Sequence, residues 1–287
     1  MENCSFSQDL KNFLSNYSYE EKIVKNSKFK FILSGKEGNP EIVFFNGLNM
    51  QEAWIKYVEA LEKDYRLLLF QYPLEPKTNN ELLDLIMEFF KVLNIKKSLI
   101  IGASDGGMLA QLYVRRFPDN LSGLVLMTTV TLDSSYVEDM NKEKIPSSLI
   151  QFILKFVPYS MLKKKLIGTA GSYIKEETES ERNYGKDFLM TIASDKYYKK
   201  KFIHIFGIVD DMRKQNNFKP EEFKKISGKI LLLHPEEDLF TVEDQNKLTD
   251  LMPDPEVHKM KGGHLAFIIC ADEYIKTIKN FFKKINY

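Results

Sequence analysis

The stretch "IIGASDGGMLAQ", residues 100–111, decides how the rest of the chain is interpreted. Two branched apolar residues run into Gly102, and Ser104 stands between Gly102 and Gly106 in the pattern G-x-S-x-G. The residues before the serine predict a buried strand, and those after it predict a helix. A serine on such a sharp turn needs small neighbours two positions away, and it is either a nucleophile or a plain turn residue. A nucleophile would also need a base and an acid from elsewhere in the chain.

Length and composition indicate an ordinary globular protein. The 287 residues suffice for one large domain or for a domain with an insertion, with 44% hydrophobic and 28% charged residues. Lys+Arg 41 against Asp+Glu 40 leaves almost no net charge, which argues against a nucleic-acid binder. Cys4 and Cys270 are too few for a disulfide framework; they could form a single bridge, but we expect two separate thiols.

The N-terminus has no basic start followed by an apolar stretch, so we predict no secretory signal. No window approaches the roughly 18 uninterrupted apolar residues of a membrane span. We therefore expect a cytoplasmic protein, monomeric or homodimeric, with no stable membrane association.

Short, nearly continuous apolar runs indicate strands buried on both faces, and hence parallel strands. Five such runs are "EIVFFNG", "YRLLLFQYP", "SLIIGAS", "SGLVLMTT" and "GKILLLHP", while "KIVKNSKFKFILSG" predicts a hairpin or edge strand. Helical patterns alternate with them, in "NMQEAWIKYVEALEKD", "NNELLDLIMEFFKVLN" and "GGMLAQLYVRRFPD". This alternation predicts an α/β fold with a mostly parallel central sheet flanked by helices.

The alternation stops after Thr129 and returns at "KILLLHP". Between them the chain shows helical patterns without clear buried strands. We therefore predict a core formed by residues 1–130 and 226–287, with a helical cap inserted at 131–225. Within the cap, "SSLIQFILKFVPYSML" is apolar around much of its circumference. It could roof an apolar pocket or touch lipid, helped by Lys163, Lys164 and Lys165, but we expect mainly packing between cap helices and a solvated lysine run.

Four histidines could act as the base for the serine. His264 lies in "MKGGHLAFI", after the last predicted strand and before the last helix, where a glycine pair can present an imidazole above the sheet. His204 lies inside a lysine-rich helix, His234 ends a strand and His258 lies within the last strand pattern. Position favours His264, and we interpret the other three as structural.

The acid is expected on the loop after the strand that begins at Ile230. Asp238 falls there, with Glu236 and Glu237 as neighbouring candidates and Asp133 as a further one. The order Ser104, Asp238, His264 is the nucleophile–acid–base order of one class of α/β enzyme.

At this point the chain resembles the α/β-hydrolase fold superfamily, over roughly residues 20–130 and 226–287. The resemblance implies that Ser104 is the nucleophile, that His264 is the general base and then the acid, and that Asp238 orients the imidazole. It implies a serine hydrolase that cleaves a carboxylic ester, or a related small acyl compound, through an acyl-enzyme.

By the same resemblance, two backbone N–H groups would form the oxyanion hole, those of Asp105 and Leu48. Relatives usually carry His-Gly after the third strand, whereas "FFNGLNM" has Asn46-Gly47. Asn46 keeps a hydrogen-bonding side chain and is a candidate substrate contact, although Asn-Gly also suits a plain tight turn.

The turn that carries the serine, residues 102–107, is called the elbow below. Its pattern G-x-S-D-G-G is similar to that of valacyclovirase-like hydrolases, which act on α-amino acid esters. The Asp105 carboxylate is therefore a candidate partner for a substrate ammonium, or else a local helix cap. "GASDGGMLAQ" and "FVPYSMLKKKLIG" also resemble the maspardin branch, whose members can serve as binding proteins.

Several alternatives stay open. An aminopeptidase of the prolyl iminopeptidase type or an acyltransferase would use the same fold, and a non-catalytic binding protein is the rival from another class. The sequence shows no paired-histidine metal pattern and no phosphate-binding glycine loop, so we expect no metal and no cofactor.

Overall fold

The computed structural model describes residues 5–142 and 147–287. Its eight strands form one sheet in the order β1-β2-β4-β3-β5-β6-β7-β8. Pairing is antiparallel for β1 with β2 and for β2 with β4, and parallel for all other neighbours. The predicted α/β class with a mostly parallel sheet is confirmed. The strands are β1 Glu20–Val24, β2 Ser27–Ser34, β3 Glu41–Phe45, β4 Arg66–Phe70, β5 Ser98–Ala103, β6 Leu121–Met127, β7 Ile230–Glu237 and β8 Glu256–Gly263.

Twelve α-helices lie in the described residues, with four short 3-10 segments at Gly47–Asn49, Gln51–Trp54, Pro118–Asn120 and Pro220–Ile226. The helices are α1 Phe6–Asn16, α2 Ile55–Leu61, α3 Asn79–Val92, α4 Asp105–Arg116, α5 Ser135–Lys142, α6 Ser147–Phe156, α7 Tyr159–Gly171, α8 Glu179–Ile192, α9 Tyr198–Met212, α10 Val242–Leu251, α11 Ala266–Ile269 and α12 Ala271–Lys284.

Helices cover both faces of the sheet because successive strand residues point to opposite sides. Val43 of β3 belongs to the core that contains Phe89 of α3 and Leu112 of α4. Its neighbour Ile42 belongs to the core on the other face, with Phe281 of α12. Both strand residues are fully buried, which explains why the parallel strands have continuous apolar sequences.

The first two strands form the predicted hairpin at one edge of the sheet. Lys25 and Asn26 connect them with φ angles of 47° and 68°, as a two-residue turn of the right twist for a hairpin requires. In the first five residues of β2 every other residue faces the core, so Phe29 and Phe31 are buried while Lys28 and Lys30 are exposed. This explains the alternating sequence of the segment.

All the described chain between β6 and β7 is helical or irregular, and it contains α5 to α9. The apolar stretch "SSLIQFILKFVPYSML" divides into α6 and α7 at Val157-Pro158, because proline cannot continue a helix. The sequence reasoning missed α1, whose Phe6 packs edge-to-face on Phe188 of α8 at 4.8 Å. The boundaries 131 and 225 stay a prediction.

The helix predicted to begin near residue 49 becomes α-helical only at Ile55. Leu48 and Asn49 both have positive φ angles, 47° and 54°, which a helix cannot accommodate. The Asn49 side chain holds this irregular turn, because it accepts from the backbone N–H of Tyr72 at 2.8 Å and donates to the carbonyl of the same residue at 3.1 Å. Cys270 forms no disulfide within the described residues, and Cys4 lies outside them.

Candidate active site

Ser104 stands on a strained turn between β5 and α4. Its φ and ψ are 55° and −131°, a combination that non-glycine residues rarely adopt. Two contacts hold the turn: the Ser104 N–H donates to the carbonyl of Met127, and the hydroxyl of Thr129 donates to the Ser104 carbonyl at 2.6 Å. The sequence reasoning missed Thr129, although its place two residues after β6, at the same edge of the sheet as the end of β5, is a usable signal.

The glycines of the elbow are explained by backbone that approaches them. A Cβ at Gly106 would lie 2.4 Å from the carbonyl oxygen of Phe45, and one at Gly102 would lie 2.9 Å from the oxygen of Gly106. At Gly107 it would collide with the Thr129 side chain. The pattern around Ser104 therefore follows from close packing of the turn against β3 and the end of β6.

His264 follows β8 directly, and its ring connects the other two predicted residues. Its Nε2 lies 3.1 Å from Ser104 Oγ, and its Nδ1 lies 2.5 Å from Asp238 Oδ1. His264 is nearly buried, at 9% exposure. The rings of Phe240 and Tyr173 lie edge to face with its imidazole, with ring centroids 5.4 and 6.4 Å from the imidazole centroid. These atoms form the chain hydroxyl–imidazole–carboxylate that general-base catalysis by a serine requires.

Asp238 lies in the loop after β7. Its Oδ1 also accepts from the N–H of Leu239 at 2.7 Å, which fixes the carboxylate toward His264. The other acidic candidates do not reach the imidazole. Glu236 and Glu237 are exposed, and Asp133 is exposed with its backbone oxygen accepting from Lys247.

The remaining histidines have other surroundings. Burial lowers the pKa of His204, whose Nε2 contacts the carbonyl of Pro76, and lowers the pKa of His234 to about 4. His258 pairs with Glu256 at 2.8 Å. In residues 5–142 and 147–287, no three metal-ligating side chains converge.

The two backbone groups expected to hold an oxyanion lie on facing turns. Asp105 is the first residue of α4, so its N–H has no carbonyl partner within its own helix. The N–H of Leu48 is occupied: it donates to Oδ1 of Asp105 at 2.9 Å. The carboxylate therefore lies on one of the two donors that the sequence reasoning assigned to the oxyanion.

The Asp105 carboxylate is nearly enclosed. The residue is 8% exposed, and its Oδ2 is buried without a hydrogen-bond partner. Burial raises the pKa of this carboxyl to about 7, against the opposing effects of the N–H groups of Leu48 and of Asp105 itself and of the nearby His264. A group of this kind can change its charge near neutral pH.

Asn46 is engaged in structural hydrogen bonds. Its amide donates to the carbonyl of Phe70 and accepts from Trp54 Nε1 at 2.9 Å, while its backbone N–H donates to the Tyr72 hydroxyl at 2.6 Å. The side chain is completely buried. It has no polar atom left for a substrate, so the structure does not bring Asn46 into the site as a contact, and its position shapes the turn of Leu48.

Glu176 is a further buried acid near the histidine that the sequence reasoning missed. It is 4% exposed, and its Oε1 accepts from the N–H of Gly263, directly before His264, at 3.4 Å. Burial raises the pKa of its carboxyl. No signal could have found it, because "KEETESE" has the composition of a solvated acidic segment.

No family model matches the sequence, and no curated protein matches it. Solved structures do match its fold. An α/β hydrolase named MGS-M2, from a deep-sea metagenome library of the Medee basin, has a TM-score of 0.73 and 17% identity, covering 92% of this chain and 97% of that one. The enol-lactonase of Burkholderia xenovorans LB400 has a TM-score of 0.72 and 17% identity, covering 92% of this chain and 100% of its own.

A third match is the naproxen esterase, carboxylesterase NP, of Bacillus subtilis. Its TM-score is 0.61 at 17% identity, and the alignment covers 98% of this chain and 99% of the esterase. At such identities the likeness concerns the fold, and it extends over nearly the whole of each chain. The chain has the α/β-hydrolase fold.

Proposed function

We propose that this protein is a serine hydrolase that cleaves a carboxylic ester or a related small acyl compound through an acyl-enzyme. This proposal rests on the continuous contact from Ser104 Oγ through the His264 ring to Asp238, with Ser104 on a strained turn at the start of α4. The structural neighbours described above include an esterase and a lactonase, which fits this class of chemistry.

In the first step Ser104 Oγ attacks the acyl carbon while His264 Nε2 takes its proton. Asp238 holds Nδ1–H and stabilises the imidazolium that forms. His264 then gives the proton to the leaving group. In the second step a water gives a proton to His264 and attacks the acyl carbon, and His264 then passes that proton to Ser104 Oγ as the acid leaves, which restores the hydroxyl.

The negative oxygen of each tetrahedral intermediate would be held by the N–H groups of Asp105 and Leu48. Because the Leu48 donor is bonded to the Asp105 carboxylate, that carboxylate must turn away before the oxyanion takes its place, and protonation would weaken the hydrogen bond that has to break. Burial raises the pKa of this group to about 7, so its neutral form is accessible at ordinary pH.

The helical segment 131–225 is proposed to act as a cap over the site. Tyr173, between α7 and α8, stands against the His264 ring, and α9 packs against the 3-10 turn that contains Leu48. These contacts exclude water from one side of the imidazole, which strengthens the electrostatic interactions of the site.

A substrate with a free amine is the second candidate, either an amino acid ester or a peptide N-terminus. The observation in its favour is the unpartnered Oδ2 of Asp105, one residue from the nucleophile. An ammonium group bound there would compensate a buried negative charge that has only N–H partners.

The test is a fluorophosphonate probe, with the covalent adduct measured by intact mass on the protein and on Ser104→Ala. We expect one adduct on the protein and none on the variant. Glu237→Gln, which changes an exposed acid near Asp238, serves as the matched control and should label normally. Absence of any adduct on folded protein would favour a binding protein on this scaffold.

A further inference from the structure

Among the described residues, helix α6 packs against α9 with one side. The amide of Gln151 lies against Gly207 of α9, so closely that a Cβ at Gly207 would collide with it. Ile150, Leu154 and Val157 on the same side are half-buried. At the C-terminal end of α6, Lys199 of α9 donates to the carbonyl oxygens of residues 155 and 157. The inner side of the helix therefore already has its partner.

The outer side of α6 is also apolar, and it faces solvent. Its large side chains have high exposed fractions: Leu149 49%, Phe152 56%, Ile153 52% and Phe156 73%. The rings of Phe152 and Phe156 contact each other edge to face at 5.0 Å, so they form a continuous patch. The expectation that this stripe packs mainly between cap helices is wrong for these four residues, because α9 takes up only the opposite side.

Helix α7 follows α6 directly and also exposes an apolar side chain. The two-residue connection Val157-Pro158 joins it to α6, and its Leu162 is buried while Met161 is 64% exposed. Lys164 and Lys165 are exposed three and four residues after Met161, so the three side chains share one face of the helix. We define the outer face of α6 and α7 as the residues Leu149, Phe152, Ile153, Lys155, Phe156, Met161, Lys164 and Lys165.

Charge on this part of the chain has one sign. Residues 147–175 contain no aspartate or glutamate and carry five lysines, although the whole protein has a net charge of only +1. Exposed aromatic and aliphatic side chains, next to lysines with no acidic residue among them, are typical of a helix that lies in the plane of a membrane interface. Contiguous apolar patches on a folded protein mark interaction surfaces.

A second copy of the chain fits this face less well. A two-fold contact places the same surface on both sides of the interface, so the lysines of one copy would meet those of the other. Such like-charge contacts cost free energy, whereas the phosphate and carboxylate groups of anionic lipids attract the same lysines at about 1 kcal/mol each.

We propose that the outer face of α6 and α7 docks reversibly on an anionic bilayer surface, with the phenylalanine rings among the acyl chains and the lysines at the headgroups. This docking is interfacial and independent of the proposed chemistry at Ser104. No helix within residues 5–142 and 147–287 has the length and apolarity to span a bilayer. The proposed binding is weak and reversible, so it agrees with the expectation that the protein has no stable membrane association.

The test is co-sedimentation of the purified full chain with two kinds of vesicle, phosphatidylcholine alone and phosphatidylcholine with about one quarter phosphatidylserine. We expect binding to the anionic vesicles that falls as salt is raised, and at least about 30-fold weaker partition to the neutral vesicles, which attract none of the lysines. The substitutions Lys164→Gln and Lys165→Gln together should weaken partition to the anionic vesicles about 30-fold.

The apolar contribution is tested with Phe152→Ser and Phe156→Ser together, which should lower partition to the anionic vesicles by more than about tenfold. Val92→Ser is the matched control, because Val92 is 47% exposed at the end of α3 that leads into β5, away from the loops that carry Ser104 and His264. Thermal unfolding of every variant checks that these exposed substitutions leave the fold intact.

Three results would overturn the proposal. One is no binding to either vesicle by folded protein, and another is equal binding by the phenylalanine variant and the parent. The third is a concentration-dependent dimer, measured by light scattering without lipid, that disappears in the phenylalanine variant, since this would assign the face to self-association.

Discussion

The carboxylate of Asp105 lies 2.9 Å from the backbone nitrogen of Leu48, across the gap between the turn after β3 and the first turn of α4. This contact joins the residue after the proposed nucleophile to a proposed oxyanion donor. It holds Leu48 at a φ of 47°, and it leaves the second oxygen of Asp105 buried without a partner. The contact therefore combines a structural benefit with an electrostatic cost.

Replacing Asp105 with asparagine should stabilise the fold at neutral and alkaline pH. The folded protein raises the pKa of this carboxyl from 3.8 to about 7, so folded molecules bind more protons than unfolded ones between these values. The free energy of unfolding then falls as pH rises through this window, by up to about 4 kcal/mol. Urea unfolding of both proteins at several pH values should show a stability difference that grows from pH 4 to pH 7. A constant difference would mean that the carboxyl titrates normally.

The same substitution should separate two substrate classes, provided that the protein hydrolyses esters. A charge-assisted contact between Asp105 and a substrate ammonium contributes about 2 kcal/mol, so Asp105→Asn should lower kcat/KM for an aminoacyl ester about 30-fold. The N-acetylated form of the same ester is the control and should be hydrolysed as well as before or better. Equal losses on both esters would contradict amine recognition.

Asp238→Asn should lower kcat about 10⁴-fold, because the amide NH2 can donate to His264 Nδ1, which favours the wrong tautomer of the ring, and because the negative charge that stabilises the imidazolium is lost. The neighbouring substitution Glu237→Gln changes an exposed carboxylate and should leave kcat unchanged. Initial rates at saturating ester give both values. A normal rate for Asp238→Asn would show that the contact of 2.5 Å between Asp238 and His264 has no part in catalysis.

Two glycine substitutions should have opposite effects on stability. Gly106→Ala places a methyl 2.4 Å from the oxygen of Phe45 and 2.6 Å from the carbonyl carbon of Asn46, so backbone must move, at a cost of about 3 kcal/mol or more. Gly168→Ala lies within α7, where a Cβ meets nothing within 4 Å, and should stabilise by about 0.5–1 kcal/mol through helix propensity. Urea unfolding of both variants gives the two signs, and a neutral Gly106→Ala would show that the elbow is loosely packed.

His234 should contribute to loss of stability in acid. Burial lowers its pKa from 6.5 to about 4, so unfolded chains bind more protons than folded ones between these values. The free energy of unfolding should therefore fall as pH decreases through this window, by about 3 kcal/mol at most. His234→Gln, which remains neutral, should remove this part of the pH dependence, as urea unfolding between pH 4 and 7 would measure. An unchanged pH profile would mean that other groups cause the loss.

The sequence by itself determined the sheet and the place of the serine. Runs such as "SLIIGAS" are apolar at every position because both faces of a parallel strand are buried, and the hairpin alternates because one face of β2 is solvated. The elbow glycines were readable for the same kind of local reason, since only glycine permits backbone to approach so closely. Such features depend on residues that are close together in the sequence, so the sequence alone can predict them.

Only the tertiary structure decided which groups meet. Asp238 and His264 are 26 residues apart, and nothing local distinguishes Asp238 from Glu237; the end of β7 aims one inward and leaves the other in solvent. The fold also engages Asn46 in buried hydrogen bonds, sets Asp105 on the Leu48 N–H and turns one apolar side of α6 outward. Contacts of this kind join residues that are far apart in sequence, so they form only when the whole chain has packed and brought those segments together.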